Sequence, residues 1–259
     1  MLEEINNSRT LSAVATIFLG LSMSACSTDR TQQETLQLWF PNQDLQQTMT
    51  TDELGNAAQS SREATIQLAI RLMTGDRTES DLERGYGIFK SLAESGDARA
   101  QFFLGTSYMQ GSGVELDETI AVNWFKKSAE GGYDIGQYWY AFMLSRGRGV
   151  PEEDWKASMK WFLKAAKQGH AEALFSMGEI HESCRAGLDR DFDQAANWYR
   201  RADGPQDSML SRWNLRRLID LGLVEWLPGD PGEPATIFVN LDKTFFTTCD
   251  PGARDPLLE

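Results

Sequence analysis

The sequence predicts an all-α fold, an α-solenoid of antiparallel helix pairs, because one helical sequence segment recurs three times at a constant spacing. The segment reads WFKKSAEGGY from Trp124, WFLKAAKQGH from Trp161 and, less completely, NWYRRADG around Trp198, so a tryptophan recurs every 37 residues. Small residues recur on the preceding helices at steps of 36 or 37 residues, namely Ala69, Gly105, Ala141 and Gly178. A single helix pair cannot bury its apolar face alone, so copies of this length stack into one continuous core.

The individual helices follow from apolar residues at helical spacing and from start and stop signals around them. Ser60 and Glu63 have the spacing of a capping box, which predicts the start of the first helix. We expect the recurring tryptophans to fill the gaps between successive pairs. Glycine-containing segments at 110–114, 146–150 and 184–188 predict the reversals within three of the pairs. The predicted helices cover 60–75, 81–94, 100–110, 117–130, 135–146, 152–168, 173–183, 192–202 and 209–221.

A longer pattern runs from Ala100 to Phe125 and reads A-x-F-x-L-G-x-x-Y-x-x-G-x-G-V-x-x-D-x-x-x-A-x-x-W-F. It resembles the Sel-one-like repeat, a relative of the tetratricopeptide repeat. The resemblance implies a right-handed solenoid of helix pairs over residues 61–223. It also implies a role in protein–protein interaction, and it does not name the partner.

Residues 1–25 resemble a bacterial lipoprotein signal peptide. Their apolar part is uncharged and shorter than the roughly 20 residues that a membrane-spanning helix needs. It ends in Met-Ser-Ala before Cys26, which resembles a lipobox, the site of cleavage before an acylated cysteine. The resemblance implies lipidation of Cys26 and, because Ser27 rather than aspartate follows it, an outer-membrane lipoprotein facing the periplasm. An uncleaved amphipathic or membrane-anchoring helix is the alternative.

Two further segments flank the predicted repeats. Residues 26–60 are rich in Gln, Thr, Ser and Asp, which predicts a polar tether. After a turn-rich break, residues 235–252 carry β-branched and aromatic residues that suit a strand or hairpin. We expect residues 224–259 to form a short irregular or β-like cap, because the ends of repeat arrays need covering. A partner-binding tail is the alternative.

Charge and cysteine content limit the functions that fit this chain. The formal net charge is −13 and is spread along the chain. Nucleic-acid binding uses a basic stripe, and none is evident in the sequence, so we predict no nucleic-acid partner. Cys184 and Cys249 would be able to form a disulfide in an exported chain, provided that the fold brings them together.

Groups that could carry out chemistry are few. The chain has two histidines, His170 and His181, and it lacks a P-loop, a nucleophile elbow and a dinucleotide fingerprint. His181 and Cys184 have the spacing of metal ligands on a helix, but no second ligand pair accompanies them. We therefore predict no catalytic residue, no metal site and no cofactor, and a protein that is not an enzyme.

The inner face of the first helix of each pair is the predicted binding site. In the related tetratricopeptide repeats, ligands contact the residue before the Leu-Gly pair and residues one turn further on. The corresponding residues of this chain are Phe103, Trp139, Phe142 and Arg146. Aromatic residues and arginine are also the usual anchors of recognition surfaces. The alternative for the aromatic residues is packing within a tightly wound core.

Together these observations predict a lipid-anchored periplasmic scaffold that holds a protein or peptide partner in a concave groove. The resemblance implies a role in assembling envelope or exopolysaccharide-export machinery. Two other classes of protein stay open. One is an envelope hydrolase or cell-wall-binding enzyme, and the other is a cytosolic signalling adaptor.

Overall fold

The computed structural model describes residues 50–75, 78–202, 209–221 and 223–231. Within these ranges the chain forms ten α-helices and no β-strand, which confirms the all-α class. The helices are α1 (Thr51–Ala57), α2 (Arg62–Thr74), α3 (Glu79–Glu94), α4 (Ala98–Gln110), α5 (Glu118–Glu130), α6 (Asp134–Ser145), α7 (Trp155–Lys167), α8 (Ala171–Glu182), α9 (Phe192–Ala202) and α10 (Met209–Asp220). The predicted signal peptide and residues 232–259 of the predicted cap lie outside the described residues.

The chain divides into two compact units, Met1–Ala121 and Val122–Glu259, and the division falls inside α5. In the first unit, α2 packs against α1 and α3, and α3 packs against α4. In the second unit, α7 packs against α6 and α8, and α9 packs against α8 and α10. Within each unit, these contacts join helices that follow one another along the chain, as expected of repeated helix pairs.

The predicted capping box at the start of α2 is not formed. Ser61, not Ser60, is the N-cap, and its hydroxyl oxygen accepts a hydrogen bond from the Ala64 N–H at 3.3 Å. Because the helix begins one residue later than expected, the third helical position holds alanine, which has no side chain to complete the box. Glu63 instead accepts a hydrogen bond from the guanidinium of Arg99, at the start of α4.

The structure differs from the predicted tether at α1, which lies within residues 26–60. A capping box starts this helix, with the Thr50 N–H donating to the Glu53 carboxylate at 2.6 Å and the Glu53 N–H donating to the Thr50 hydroxyl at 3.3 Å. Leu54 is fully buried and packs against Leu68 of α2. The tether prediction is therefore wrong for these residues, because a single leucine suffices to dock a short capped helix. The tether residues before Thr50 lie outside the described ranges.

The recurring tryptophans are equivalent to one another, but they do not fill the interior. All three are half-buried. The residue that follows each one lies in the core, and these buried residues are Phe125, Phe162 and Tyr199. Consecutive residues are separated by about 100° around a helix. The expectation that the tryptophans fill the gaps between pairs was therefore wrong, because the residue after each tryptophan faces the core instead.

A cation covers the outer part of each tryptophan ring, three residues further along the helix. The distances from the cationic group to the ring centroid are 3.8 Å for Lys127 over Trp124, 3.6 Å for Lys164 over Trp161 and 4.3 Å for Arg201 over Trp198. Residues three apart lie on the same helix face, and an ammonium or guanidinium group is attracted to the negative face of an aromatic ring. Each of these three copies of the repeat therefore contains a tryptophan–cation pair, not only a tryptophan.

The segment after α10 closes the end of the second unit. Leu223 is fully buried and Val224 nearly so, in a cluster with residues of α9 and α10. Arg200 of α9 holds the segment in place, because its guanidinium donates twice to the Asp230 carboxylate and once to the Glu225 carbonyl, each at 2.9 Å. Burial by itself would raise the pKa of Asp230, but the hydrogen bonds from Arg200 and from the Leu227 N–H, together with the positive charge of Arg200, keep this pKa below its ordinary value.

Candidate partner-binding surface

The predicted contact residue of the first unit, Phe103, belongs to the interior of that unit. It lies on α4 and is 7% exposed. Its ring stacks on Phe89 of α3 with a centroid distance of 4.6 Å, and it meets Phe102 edge to face at 5.2 Å. Phe103 therefore packs the first helix of one pair against the second helix of the preceding pair, and a role in binding stays a prediction.

Trp139 and Phe142 lie on α6, in the second unit, and Arg146 follows directly after this helix. Trp139 is 6% and Phe142 is 7% exposed, and their rings meet each other at 5.4 Å. Trp139 also contacts Phe125 of α5 at 5.9 Å. Arg146 is exposed, with its guanidinium carbon 5.7 Å from the Phe142 ring centroid. The two aromatic residues thus fit the packing alternative, whereas Arg146 is accessible to a partner.

An exposed tryptophan that was not predicted lies on α10. Trp213 is 63% exposed, the highest value among the large hydrophobic side chains of the described residues. It stands two repeat steps of 37 residues after Trp139, so it occupies the same register position on its helix. The spacing of 37 residues is the sequence signal that identifies this position. An exposed tryptophan at the register position of a predicted contact residue is a candidate anchor.

A network of polar side chains lies next to Trp213 and contacts its ring. Arg217, one turn further along α10, lies with its guanidinium carbon 5.6 Å from the Trp213 ring centroid and forms an ion pair with Glu182 of α8. Glu182 also accepts a hydrogen bond from the buried Tyr199 hydroxyl at 2.8 Å. Burial and the negative charge of Glu182 raise the pKa of Tyr199, so this hydroxyl remains a donor. The network fixes α8, α9 and α10 relative to one another.

A second acidic residue, Glu179, lies one turn before Glu182 on α8. Burial raises the pKa of its carboxyl, and the nearby negative charge of Glu182 acts in the same direction. The positive charges of Arg185 and Arg146, which follow α8 and α6 in the chain, oppose this shift. The Glu179 side chain is half-buried and contributes a second acidic group to this face of the second unit.

We define the α6–α8–α10 surface as Arg146, Glu179, Glu182, Trp213 and Arg217. It combines one large exposed aromatic ring with charges of both signs held by the scaffold. This composition suits recognition of a protein segment, in which an aromatic or arginine anchor is surrounded by polar contacts. In the described ranges, no three histidine, cysteine or acidic residues are grouped as metal ligands.

Cys184 follows α8 and forms a disulfide. Its sulfur is therefore not a thiolate ligand beside His181. The second cysteine of the predicted pair, Cys249, lies outside the described residues, and the pairing stays a prediction. None of the helices in the described part of the chain combines the length and apolarity that crossing a bilayer requires.

His170 connects α6 to the start of α8. Its Nδ1 accepts a hydrogen bond from the Ala173 N–H at 3.4 Å, which caps α8, and its ring stacks on Tyr138 of α6 at 4.9 Å. Burial lowers the pKa of His170, although the carboxylates of Glu172 and Asp134 favour the charged form. The neutral ring is also the only form whose Nδ1 can accept the capping hydrogen bond.

Acidification is expected to destabilise the second unit through His170. Its pKa lies below the ordinary value of 6.5, so as the pH falls through 6.5 the unfolded chain takes up a proton that the folded chain does not. The free energy of unfolding should then fall by up to about 1.4 kcal/mol per pH unit from this group. Urea denaturation at pH values from about 7.5 to about 5, on either side of the ordinary histidine pKa, measures the slope.

The variant His170→Asn tests the assignment, because asparagine can cap the helix without titrating. It should remove most of this slope. His181→Asn is the matched control, since burial also lowers the pKa of His181 but the residue is only half-buried and should account for a smaller part. An unchanged slope in His170→Asn would exclude His170 as the cause.

The stacked helix pairs and the α6–α8–α10 surface define a repeat protein of the α-solenoid class. A family model described as the Sel1 repeat matches residues 62–97, 98–133, 135–170 and 171–202, together more than half of the chain. The chain belongs to the Sel1 repeat family. This confirms the resemblance seen in the sequence, and the fold is suited to protein–protein interaction.

Solved structures of similar fold include two bacterial proteins. A Sel1 repeat protein from Oxalobacter formigenes has a TM-score of 0.54 and 25% identity, over 61% of this chain and 60% of that one. The protein c5321, a protective antigen present in uropathogenic Escherichia coli strains and displaying an SLR fold, has a TM-score of 0.57 and 28% identity. That match covers 81% of this chain and 44% of that one.

Curated relatives include two yeast proteins. Chitin synthase regulatory factor 3 of Schizosaccharomyces pombe is 30% identical over 125 residues, and chitin synthase regulator SKT5 of Saccharomyces cerevisiae is 29% identical over 98 residues. These matches cover 46% and 36% of this chain. The chain spans only 13% and 14% of the length of these relatives. The similarity is therefore one of repeats, not of whole proteins.

Proposed function

We propose that this protein is a non-catalytic scaffold that binds a protein or peptide partner through the α6–α8–α10 surface. The observation that carries this proposal is the exposed ring of Trp213, at the same register position as Trp139 and supported by the Arg217–Glu182 ion pair. Contacts with charged groups of fixed position restrict the Trp213 ring before a partner binds, and this reduces the entropic cost of binding. Two relatives whose names describe regulators of an enzyme support a non-catalytic role.

We further propose that the scaffold is anchored by lipid at Cys26 to the outer membrane and faces the periplasm. The lipobox-like sequence before Cys26 and the serine after it support this location. The disulfide at Cys184 supports it as well, because disulfides persist mainly in oxidising compartments. In that location the partner would be a protein of the envelope or of exopolysaccharide-export machinery.

Replacing Trp213 with alanine is expected to weaken partner binding by at least about 30-fold, the effect of removing a central aromatic anchor. The partner is first identified by photo-crosslinking from a reactive amino acid at position 213 in intact cells. Calorimetry with the purified partner then measures Kd for the wild type and for Trp213→Ala. Because the side chain is exposed, the variant should keep the circular dichroism spectrum and the Tm of the wild type.

Leu116→Ala is the matched control for this experiment. Leu116 is 57% exposed, lies in the first unit and is not part of the α6–α8–α10 surface. It should leave Kd unchanged. Equal affinity of wild type and Trp213→Ala, with both folded, would rule out this surface as the binding site.

The variant Cys26→Ala is expected to lose lipid and to leave the membrane fraction. In cells fed a labelled fatty acid, the label should appear on the wild-type protein and on the control variant Cys249→Ala. Both keep Cys26, which is the only cysteine that follows the lipobox-like sequence. Label retained by Cys26→Ala would contradict the proposed anchor. This result would not affect the binding surface, which depends on Trp213 and is tested separately.

A further inference from the structure

A row of lysines covers the exposed face of α7. Lys156, Lys160, Lys164 and Lys167 are all exposed. At 100° per residue these four positions fall within an arc of about 80° around the helix axis, and they extend over about 16 Å along it. We call this row the α7 lysine stripe. The expectation that the chain has no basic stripe is therefore wrong for α7, because the stripe becomes visible only when helical spacing is applied to the four lysines.

The α7 lysine stripe is unusual in a chain with a net charge of −13. Helix α7 contains no acidic residue, whereas the corresponding second helices of the other pairs, α3, α5 and α9, each contain at least one. Among the described residues Lys164 lies over Trp161, and no ion pair involves any lysine of the stripe. Within the described part of the protein, no carboxylate is therefore paired with this row of ammonium groups.

Partly exposed apolar residues border the stripe. Met159 and Leu163 are half-buried and lie within about 60° of Lys156 around the helix axis. Trp161 is half-buried on the other side, under Lys164. Lysines with long apolar stems beside partly exposed hydrophobic and aromatic groups match the polar and apolar layers of a lipid headgroup region.

We infer that the α7 lysine stripe docks the protein on a membrane surface that contains anionic lipids. Lysine is depleted from protein–protein interfaces, and its ammonium group is a point charge that does not select the planar geometry of one carboxylate. Clusters of lysine are instead typical of surfaces that contact anionic lipid headgroups, where each adjacent lysine strengthens association about fivefold. An acidic protein segment is the competing occupant, and the experiment separates the two.

The inference concerns a different face from the α6–α8–α10 surface and does not depend on the proposed function. It is tested on the full chain reconstituted with vesicles of phosphatidylcholine alone or mixed with phosphatidylglycerol. A water-soluble acetylating reagent modifies accessible lysines, and mass spectrometry gives the rate at each one. Lys90 on α3 and Lys126 on α5 are exposed internal references outside the stripe.

In anionic vesicles, acetylation of the four stripe lysines is expected to slow at least about fivefold relative to neutral vesicles. Lys90 and Lys126 should react at similar rates in both. A high salt concentration should remove the protection, because at an ionic strength of about 1 M the attraction between charges more than a few ångströms apart is screened. Equal protection of the references, or none at the stripe, would overturn the inference.

The variant K156Q/K160Q/K167Q keeps Lys164 as a reporter within the stripe. Its Lys164 should lose the protection by anionic vesicles, whereas the matched variant K90Q/K126Q should keep it. Soluble polyglutamate, added to the chain in neutral vesicles, tests the competing occupant. Protection by polyglutamate as strong as that by phosphatidylglycerol would assign the stripe to an acidic polypeptide and overturn the membrane assignment.

Discussion

Replacing Gly113 with alanine is expected to destabilise the first unit by about 4 kcal/mol. Gly113 has φ of +70°, where alanine costs roughly 1–2 kcal/mol more than glycine. A Cβ atom there would also lie 2.4 Å from the carbonyl oxygen of Leu82, in the backbone of α3. Helix backbone cannot move aside as a side chain can, so overpacking adds roughly 1–3 kcal/mol. Urea denaturation followed by circular dichroism measures the change.

Gly111 provides a matched control in the same loop. It also has φ of +70°, but a Cβ atom there would meet Leu116 at 3.5 Å and the Val114 carbonyl oxygen at 3.7 Å, which are ordinary contact distances. Gly111→Ala should therefore show only the conformational cost of roughly 1–2 kcal/mol. Equal losses in the two variants would mean that the close approach to Leu82 contributes nothing.

Replacing Gly178 with alanine is expected to destabilise the second unit by about 3 kcal/mol, the upper part of the range for overpacking. A Cβ atom at Gly178, on α8, would lie 2.3 Å from the ring of Tyr199 on α9. Tyr199 is fully buried, and its hydroxyl is held by Glu182, so the ring has no room to withdraw. Thermal and urea denaturation measure the loss.

Gly87→Ala is the control for a glycine inside a helix. Gly87 lies on α3, and a Cβ atom there would meet no atom within 4 Å. Alanine should stabilise this helix by about 0.5–1 kcal/mol, because glycine loses more backbone entropy on folding. The two substitutions should thus differ in sign. A Gly178→Ala variant as stable as the wild type would show that α8 and α9 can separate without loss, contrary to the close packing described.

The same variant connects the core to the binding surface. A displaced Tyr199 ring would break its hydrogen bond to Glu182, and Glu182 holds Arg217 beside Trp213. We therefore expect Gly178→Ala to weaken partner binding under conditions in which it is still folded.

The sequence was sufficient to predict the helices, because their period and spacing are local properties. The steps between Trp124, Trp161 and Trp198 set the repeat, and the nine predicted helices are all present, with α1 in addition. Details at the level of one residue were not predictable. Whether Ser60 or Ser61 caps α2 depends on its docking against α1, and whether a tryptophan or the next residue is buried depends on the rotation of a packed helix.

The binding surface was predictable only in part. Arg146 was identified from its repeat position and is exposed as expected, whereas Trp139 and Phe142 are buried by contacts that the sequence does not encode locally. The ion pair between Glu182 and Arg217 joins residues 35 positions apart. Their meeting follows from how α8 and α10 pack, so it could not be read from either helix alone.

The clamp between Arg200 and Asp230 has a consequence for how long this array of repeats can be. A further helix pair added after α10 would need the apolar edge that Leu223 and Val224 already occupy. Adding one would require breaking a bidentate charge-assisted contact and exposing two buried aliphatic side chains. The Arg200 guanidinium thus holds the segment after α10 over the apolar edge on which a further helix pair would have to stack.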